Sequence, residues 1–520
     1  MPSFLARFGS EVKGVLSGLD RIRFRGTIRW LASEQGVGSF LSTHRIRLTE
    51  FKDWAMERTN QIKRATERLA ERLGRPLIYL PSSQERKETR AAEIAEADGM
   101  TQGLVAVFQC VEPCQTVRIG PNAKTKWLEL RHGPAKCSHY YFYVRDPLYG
   151  PISVRLQTWL PFSLHVCLNG REWLANRLAR SGIAFEQRDN CFVDLASVDR
   201  AQALFDRQLQ TDWNRLLNGL VRQWHPAHRT LFPQPLDYYW SAEQTEWATD
   251  VMFRSPAALS RVYPALLRHA ATTFGSGDVL RFLGKRLTPR VHGKFAGEVL
   301  TSLKTRPEGT RVKHAANRNS IKMYDKQQQV LRVETTINDP RDMKAYRPKE
   351  GDSGGKKSWQ RLRKGVSDLH RRTEISQQSN ERYLETLAAV ETPTPLKDVA
   401  GKICQPTEWQ GRRVRALQPL GEADGALLAA VARGEFAING FRNRDLRNIL
   451  EGDQPAADPA AAKRQAARIT RQLRLLRGHG LIRKISKTHR YQLTPSGRTT
   501  ITALLVAQQT SIQHLAQIAA

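Results

Sequence analysis

Five short segments with the apolar–polar alternation of β-strands follow one another between residues 115 and 168. They are QTVRI, KWLELR, SHYYFYV, ISVRLQTW and SLHVCL, and the turn-forming clusters GPNAK, HGPAK and DPLYG lie between them. Because short strands joined by tight turns pair with their neighbours, this pattern predicts an antiparallel meander. Helical patterns over 170–182 and 197–222 follow, with a strand or hairpin at 183–195 between them.

The remaining segments predict an α+β multidomain fold. An alternating stretch at 20–29, an amphipathic helix at 45–74 and buried strands at 75–80 and 103–111 indicate an α/β layer with some parallel pairing. Residues 241–304 and 360–390 read as mostly helical. The order of elements in the meander region resembles ferredoxin-like or palm-like modules. The predicted units are an α/β N-terminal domain (1–114), an antiparallel β/α domain (115–235), a helical region with a basic β-hairpin at 311–337 (236–404), a linker (405–420) and a C-terminal domain (421–520).

The charge balance of the 520-residue chain indicates which class of partner it binds. Lys and Arg number 82 against 50 Asp and Glu, a net charge of +32 with a pI near 10.3. Such an excess predicts a polyanionic partner, either DNA or a structured RNA. Six cysteines are too few for a secreted disulfide scaffold, and a mean hydropathy of −0.51 argues against a membrane protein. We therefore expect a cytoplasmic, nucleoid-associated protein with no membrane partner and leave a homodimer open.

The C-terminal segment 421–507 reads as three helices, two short strands around SKTH and a final helix capped by Thr494 or Ser496. The phrase LRGHGLIRKISKTHRYQLTPSGR resembles the winged-helix domains of MarR-like regulators, a likeness that covers about the last hundred residues. Arginines on the third helix fall opposite an apolar face, as in a helix that enters a nucleic-acid groove. The predicted contacts are Arg464, Arg468 and Arg471 on the helix and Lys484, Lys487 and Arg490 on the wing. The alternative is a solvated basic helix in a protein-docking domain.

Residues 311–337 contain the clearest hairpin, with strands SIKMYDK and VLRVETTI joined by QQQ. Period-two geometry collects five polar side chains on one face: Lys322, Tyr324, Lys326, Arg332 and Glu334. Tyr324 could act as a nucleophile on a phosphodiester, with lysine neutralising charge and Glu334 holding Mg²⁺ or Mn²⁺. Three cations against one anion on this face predict that Lys322, Lys326 and Arg332 contact phosphates. The alternative is a cross-strand ion pair of Glu334 with Lys322 or Arg332 beside a phosphate-binding surface.

The Y-D-K…L-R-x-E arrangement, about twenty residues long, resembles a motif of rolling-circle replication initiators. Such enzymes usually also carry a metal-binding His-x-His pair. This sequence has no His-x-His, and Cys137-Ser-His139 is the nearest approximation.

Three weaker patterns bear on metals. Cys110, Cys114, Cys137 and His139 could bind zinc, but their spacing is not that of a zinc knuckle, so we expect well under one zinc per chain. Asp20 and Glu112 near strand ends allow an RNase H-like two-metal site, with Asp146, Asp189 or Asp250 as third acid. Residues 235–253 read as an aromatic, acidic helix capped by Ser241, with Glu246 and Asp250 one turn apart and Trp240 and Trp247 on its core side.

Over its whole length the chain resembles an uncharacterised bacterial family with a MarR-like end, which we associate with multicopy, mobile-element-like genes. That resemblance implies a nucleic-acid-binding protein of a mobile element. The chain would then be either a metal-dependent DNA nickase or strand transferase, like a transposase or replication initiator, or a non-catalytic binder. The second class includes the protein of a ribonucleoprotein with a structured RNA and a transcriptional regulator.

Overall fold

The computed structural model describes residues 1–81, 85–234, 236–284, 299–306, 309–349, 354–388, 396–433, 436, 440–452, 458–485 and 488–510. The strands are β1 (Val12–Thr27), β2 (Leu77–Tyr79), β3 (Gly103–Pro121), β4 (Leu128–Asp146), β5 (Gly150–Gln157), β6 (Leu164–Asn169), β7 (Phe185–Gln187), β8 (Phe192–Leu195), β9 (Tyr239–Phe253), β10 (Val299–Arg306), β11 (Gly309–Ala316), β12 (Asn319–Lys326), β13 (Val330–Ile337), β14 (Lys344–Arg347), β15 (Ser358–Arg361), β16 (Thr407–Trp409), β17 (Arg412–Val414), β18 (Ile482–Lys484) and β19 (Tyr491–Leu493). The helices are α1 (Pro2–Phe8), α2 (Glu34–Thr43), α3 (Phe51–Arg72), α4 (Lys87–Ala97), α5 (Gly170–Arg180), α6 (Val198–Arg207), α7 (Trp213–Trp224), α8 (Pro256–Thr273), α9 (Ser276–Phe282), α10 (Leu369–Leu387), α11 (Leu396–Ile403), α12 (Glu422–Ala432), α13 (Asn443–Glu451), α14 (Pro459–Gly478) and α15 (Pro495–Gln509).

One mixed sheet of eleven strands organises the described residues up to 337. Its order is β10-β11-β12-β13-β9-β1-β6-β5-β4-β3-β2. Neighbouring strands are antiparallel except β2 and β3, which pair in parallel. The α+β class is thus confirmed. The three predicted units before residue 404 all contribute strands to this sheet, and the predicted boundary between 114 and 115 falls inside β3.

Two local predictions were wrong. The HGPAK cluster was predicted to be a turn, but it lies within β4, where Pro134 pairs with Gln115 and Gly133 with Thr116. Residues 241–253 were predicted to belong to a helix capped by Ser241, but they lie in β9, which is paired on both sides with β1 and β13. A strand hydrogen-bonded on both edges and covered on both faces satisfies its backbone through tertiary pairing, which overrides local helical spacing.

Helices cover the two faces of the sheet unequally. Helix α10 lies on the face that carries Trp247, where Asn380 donates to the Trp247 carbonyl. The opposite face, which we call the acidic-site face, carries Asp20 and Asp250 and is covered by α5 and α6 at one place and by α4 at another. Phe205 of α6 lies so close above Gly18 that a Cβ there would meet the ring at 2.2 Å. Part of the acidic-site face between these helices stays accessible.

Beyond residue 403, helices α12, α13 and α14, the β18–β19 pair and α15 follow in the predicted order. They surround a separate apolar cluster that includes Leu427, Ile469, Leu473 and Leu476. Lys487 and residues 511–520 of the predicted C-terminal domain lie outside the described residues. Among the described helices, none is both long and apolar enough to cross a membrane.

Candidate functional site

The predicted hairpin is β12 and β13, and its register places the five predicted side chains on the acidic-site face. Lys322 pairs with Glu334, and Tyr324 pairs with Arg332. The next strand, β9, extends the row of Tyr324 and Arg332, because Asp250 lies beside Arg332. The hairpin strands, turn and shared face are thus confirmed. Their surroundings differ from those predicted, since β13 is an interior strand of the sheet.

Arg332 is fully buried and bound by carboxylates. Its Nε and Nη2 atoms donate to the two oxygens of Asp250 at 2.6 and 2.8 Å, and Nη1 donates to Asp20 at 3.1 Å. Arg171 from α5 lies 3.2 Å from Asp250 and 3.6 Å from Asp20. The Arg332 guanidinium therefore belongs to a buried network in which the positive charges of two arginines balance the negative charges of two aspartates.

Lys326 is also engaged within the protein. Its Nζ lies 2.7 Å from Asp189, in the turn between β7 and β8, and the residue is 7% exposed. The neighbouring Asn190 donates to Asp20 at 2.6 Å and accepts from Arg332 through its carbonyl oxygen at 2.7 Å. The surplus of positive charge predicted from the hairpin alone is therefore cancelled by aspartates from other strands and turns. The prediction that Lys326 and Arg332 contact phosphates was based on that surplus, and the structure removes this basis.

Tyr324, Glu334 and Lys322 form a second hydrogen-bonded group beside this network. The Tyr324 hydroxyl donates to Glu334 Oε2 at 2.7 Å, and Lys322 Nζ pairs closely with Glu334 Oε1. Burial opposes ionisation of Glu334, but Lys322 and the hydrogen bonds outweigh it and lower the pKa to about 2. Burial and the neighbouring Glu334 charge raise the pKa of Tyr324 well above its ordinary value. Without a bound cation or phosphate, the site thus holds a carboxylate and a neutral phenol.

A register shift in β1 brings further carboxylates to this point. Leu19 pairs with Trp247 and Ile22 with Thr245, so Asp20 and Arg21 both lie opposite Glu246. Such a bulge changes the direction of side chains and is common beside active sites. As a result, oxygen atoms of Asp20, Glu246 and Glu334 lie within 4.8 Å of one another.

The donor set of these three carboxylates fits a hard divalent cation such as Mg²⁺ or Mn²⁺. Burial, followed by the charge of Glu334, raises the pKa of Glu246 to about 7. Crowded carboxylates of this kind repel one another unless a proton or a cation lies between them.

Of the acids predicted for an RNase H-like site, Asp20 and Asp250 are brought together through Arg332, and Asp189 binds Lys326, whereas Glu112 and Asp146 lie elsewhere. Glu112 lies on β3 and binds Lys87, Arg155 and Tyr141, four strands away from Asp20 in the sheet order. Asp146 caps the turn after β4 by accepting from two backbone amides at 2.8 Å. Glu246 was missed as a partner of Asp20 because it was placed on a helix. The available signal was its spacing of two and four residues from Ala248 and Asp250, which on a strand is a single face.

A cavity of about 520 Å³ extends the site along the acidic-site face. Its floor is formed by β1, β6, β5 and β4, and α4 forms a wall. Its lining includes Arg21, Arg23, Arg145, Arg155, Lys87, Tyr141 and Tyr143. Arg21 and Arg23 are exposed. Because Arg21 lies opposite Glu246, the basic cavity and the carboxylate cluster adjoin.

The predicted C-terminal contacts lie mostly at the surface. Arg464, Arg471 and Lys484 are exposed. Arg468 is also exposed, but its Nη2 pairs with Glu451 of α13 at 2.8 Å. Arg490 is half-buried and donates to the Gly440 carbonyl at 3.2 Å. The face opposite the arginines is buried through Ile469, Leu473 and Leu476, as predicted.

Three of the four predicted zinc ligands come together across the β3–β4 ladder. Cys114 Sγ and Cys137 Sγ are 2.8 Å apart, and both His139 ring nitrogens lie 4.0 Å from Cys137 Sγ. Cys110 pairs with His139 in the ladder but is outside this group of ligand atoms.

Comparison of the chain with protein-family models, with curated proteins and with solved structures finds no match.

Proposed function

We propose that the protein binds nucleic acid across the acidic-site face and that Tyr324 makes this face a nicking and strand-transfer site of a bacterial mobile element. The observation that carries the proposal is the Tyr324 hydroxyl hydrogen-bonded to Glu334, within a group of carboxylates suited to a divalent ion. Nucleophile, charge-neutralising lysine and cation ligands are thus adjacent, as phosphodiester transfer requires.

The chemistry assigns one role to each side chain. The phenolic oxygen of Tyr324 loses its proton to solvent and forms a bond to phosphorus, while the bond from phosphorus to a sugar oxygen breaks and that oxygen takes up a proton to leave as a hydroxyl group. The phosphotyrosine that results conserves the energy of the broken bond, so the same residue can rejoin a strand. Lys322 neutralises the charge that develops on the phosphoryl oxygens. A cation held by Asp20, Glu246 and Glu334 would favour the phenolate and stabilise the phosphoryl charge.

The cavity beside the carboxylates supplies a path for the strand. Exposed Arg21 and Arg23 offer phosphate contacts, and half-buried Tyr141 at its lining offers aromatic surface to bases. The net charge of +32 supports a polyanionic partner for the whole chain. We assign recognition of a nucleic-acid site to the C-terminal segment, as a MarR-like winged helix with α14 in the groove.

The decisive experiment compares Tyr324→Phe with the parent protein on labelled DNA in Mn²⁺. We expect the parent to form a covalent protein–DNA adduct and the variant to form none, while both bind DNA equally. Tyr346→Phe is the matched control, because Tyr346 is 59% exposed and lies on β14, outside the sheet. An adduct that persists in Tyr324→Phe would contradict the assignment.

A second candidate is a non-catalytic DNA- or RNA-binding protein, such as the protein of a ribonucleoprotein or a regulator. The observation that favours it is the burial of Tyr324, which is 8% exposed and hydrogen-bonded within the fold. In this case the parent forms no adduct with Mg²⁺ or Mn²⁺. The length and sugar of the nucleic acid that co-purifies with the protein then identify its target.

The proposed role of α14 in nucleic-acid recognition is tested by replacing both Arg464 and Arg471 with alanine. We expect binding weaker by about 2–5 kcal/mol and a salt dependence shallower by about two phosphate contacts. Lys63→Ala with Arg68→Ala removes the same charge from exposed positions on α3 and serves as control. Equal losses in the two double variants would show that α14 contributes only net charge.

A further inference from the structure

We propose that Cys114, Cys137 and His139 bind one zinc ion whose fourth coordination position is open. These side chains lie on the acidic-site face of β3 and β4, separated from the hairpin β12–β13 by β9, β1, β6 and β5. The proposal is therefore independent of the nicking site and does not rest on the proposed function.

The strand register brings the ligands together. Glu112 pairs with Cys137 and Cys114 with Ala135, so the two cysteines are diagonal neighbours on one face of an antiparallel ladder. His139 lies two residues further along β4, on the same face. Spacing along the chain does not reveal this grouping, which is why the sequence alone argued against zinc.

Two sulfurs and an imidazole nitrogen are a ligand set that zinc prefers. Two thiolates bound to one zinc at about 2.3 Å lie about 3.8 Å apart at a tetrahedral angle, so the pair at 2.8 Å would open slightly around the ion. A disulfide would need the sulfurs at about 2.05 Å and would give His139 no role. Because His139 supplies a third ligand atom within reach, the arrangement favours a metal ion over a disulfide.

The orientation of His139 is fixed as in a metal ligand. The residue is 1% exposed, and its Nδ1 lies 3.1 Å from the carbonyl oxygen of Cys137, to which it donates. This hydrogen bond leaves the lone pair on Nε2 available. A backbone acceptor that selects the tautomer is the usual support of a zinc-bound histidine.

Within the part of the chain that the structure describes, Cys110 and other potential ligands stay outside this group, so the fourth position is open. Cys110 is fully buried, whereas Cys114 and Cys137 are partly exposed. A water molecule can therefore complete the tetrahedron, and it can be exchanged for another ligand. Sites of this kind differ from closed structural sites with four protein ligands.

The test uses cobalt(II) as a probe, added to the full-length reduced protein after removal of metals. We expect one equivalent to give thiolate-to-cobalt charge-transfer absorption, which zinc then displaces. Cys114→Ser and Cys137→Ser should each abolish that absorption, with folding checked by circular dichroism. Cys404→Ser, which replaces an exposed cysteine outside the sheet, should leave it unchanged.

Three results would overturn the proposal. The first is reduced parent protein that gives no charge-transfer absorption with one equivalent of cobalt. The second is loss of absorption in Cys110→Ala with correct folding, which would mean a closed four-ligand site. The third is recovery of Cys114 and Cys137 as a disulfide from a protein that takes up no metal, which would make them a redox pair.

Discussion

Arg332 joins three parts of the chain through one side chain. Its guanidinium binds Asp250 of β9, Asp20 of β1 and the Asn190 carbonyl of the β7–β8 turn. A planar, always charged group suits this role, because it presents several donors in fixed directions. The network positions Asp20 beside Glu334, and so it supports the candidate cation site without itself facing solvent.

We expect Arg332→Met to destabilise the protein by about 3–5 kcal/mol, because it leaves Asp20 and Asp250 buried with only Arg171 to balance them. Urea unfolding measures the change. Arg188→Met, at an exposed position that pairs with Glu186, should cost little. A loss below about 1 kcal/mol for Arg332→Met would contradict the view that Arg332 balances the buried charge of these two aspartates.

Glu246 should make stability depend on pH. Its pKa is raised from 4.5 to about 7 by burial and by Glu334, so the native state holds the proton more tightly than the unfolded state. This contribution to the free energy of unfolding is complete below pH 4.5 and is lost as pH rises through about 7. Glu246→Gln should abolish this loss of unfolding free energy between pH 4.5 and about 7. If the free energy of unfolding changes equally with pH in the parent and the variant, the assigned pKa is wrong.

Among the elements, hairpin β12–β13 was predictable and β9 was not. The hairpin carries strict alternation and a three-glutamine turn, so local sequence defined its register. In β9, the spacing of Glu246 and Asp250 fits one face of a helix and one face of a strand equally well. Only pairing with β1 and β13 decides between them, and those partners lie far away in sequence.

The same limit applied to the candidate site. Tyr324, Lys322 and Glu334 could be grouped from the sequence because they belong to one hairpin. Asp20 could be named but not joined to them, since its neighbours depend on the bulge opposite Glu246. The cysteines were named for their chemistry, whereas the grouping of Cys114 with Cys137 and without Cys110 follows from strand register.

Packing of α6 on β1 depends on a residue without a side chain. A Cβ at Gly18 would meet the Phe205 ring at 2.2 Å, so Gly18→Ala should push α6 away from the sheet. We expect a loss of about 1–3 kcal/mol in the free energy of unfolding. Gly219→Ala on α7, where a Cβ meets nothing within 4 Å, should instead stabilise by up to about 1 kcal/mol. Equal effects would argue against this close packing.

At the scale of the whole molecule, the apolar residues form separate clusters. The two largest lie along the long sheet, and both include residues of β9, whereas a third contains residues 403–504. We expect two unfolding transitions in denaturant. Leu473→Ala should lower the free energy of unfolding of only one transition, by about 2–5 kcal/mol, and Val154→Ala should lower that of only the other. A single transition lowered by both variants would show that the two parts unfold together.

The bond between Arg332 and Asp20 spans 312 positions of the chain. Ribosomes deliver Asp20 first and Arg332 much later, so the nascent polypeptide carries two aspartates without the guanidinium that neutralises them. Tyr324 and Glu334 emerge in the same late stretch. A message cut short before codon 324 therefore yields a product that has these aspartates but lacks Tyr324, the residue proposed as nucleophile.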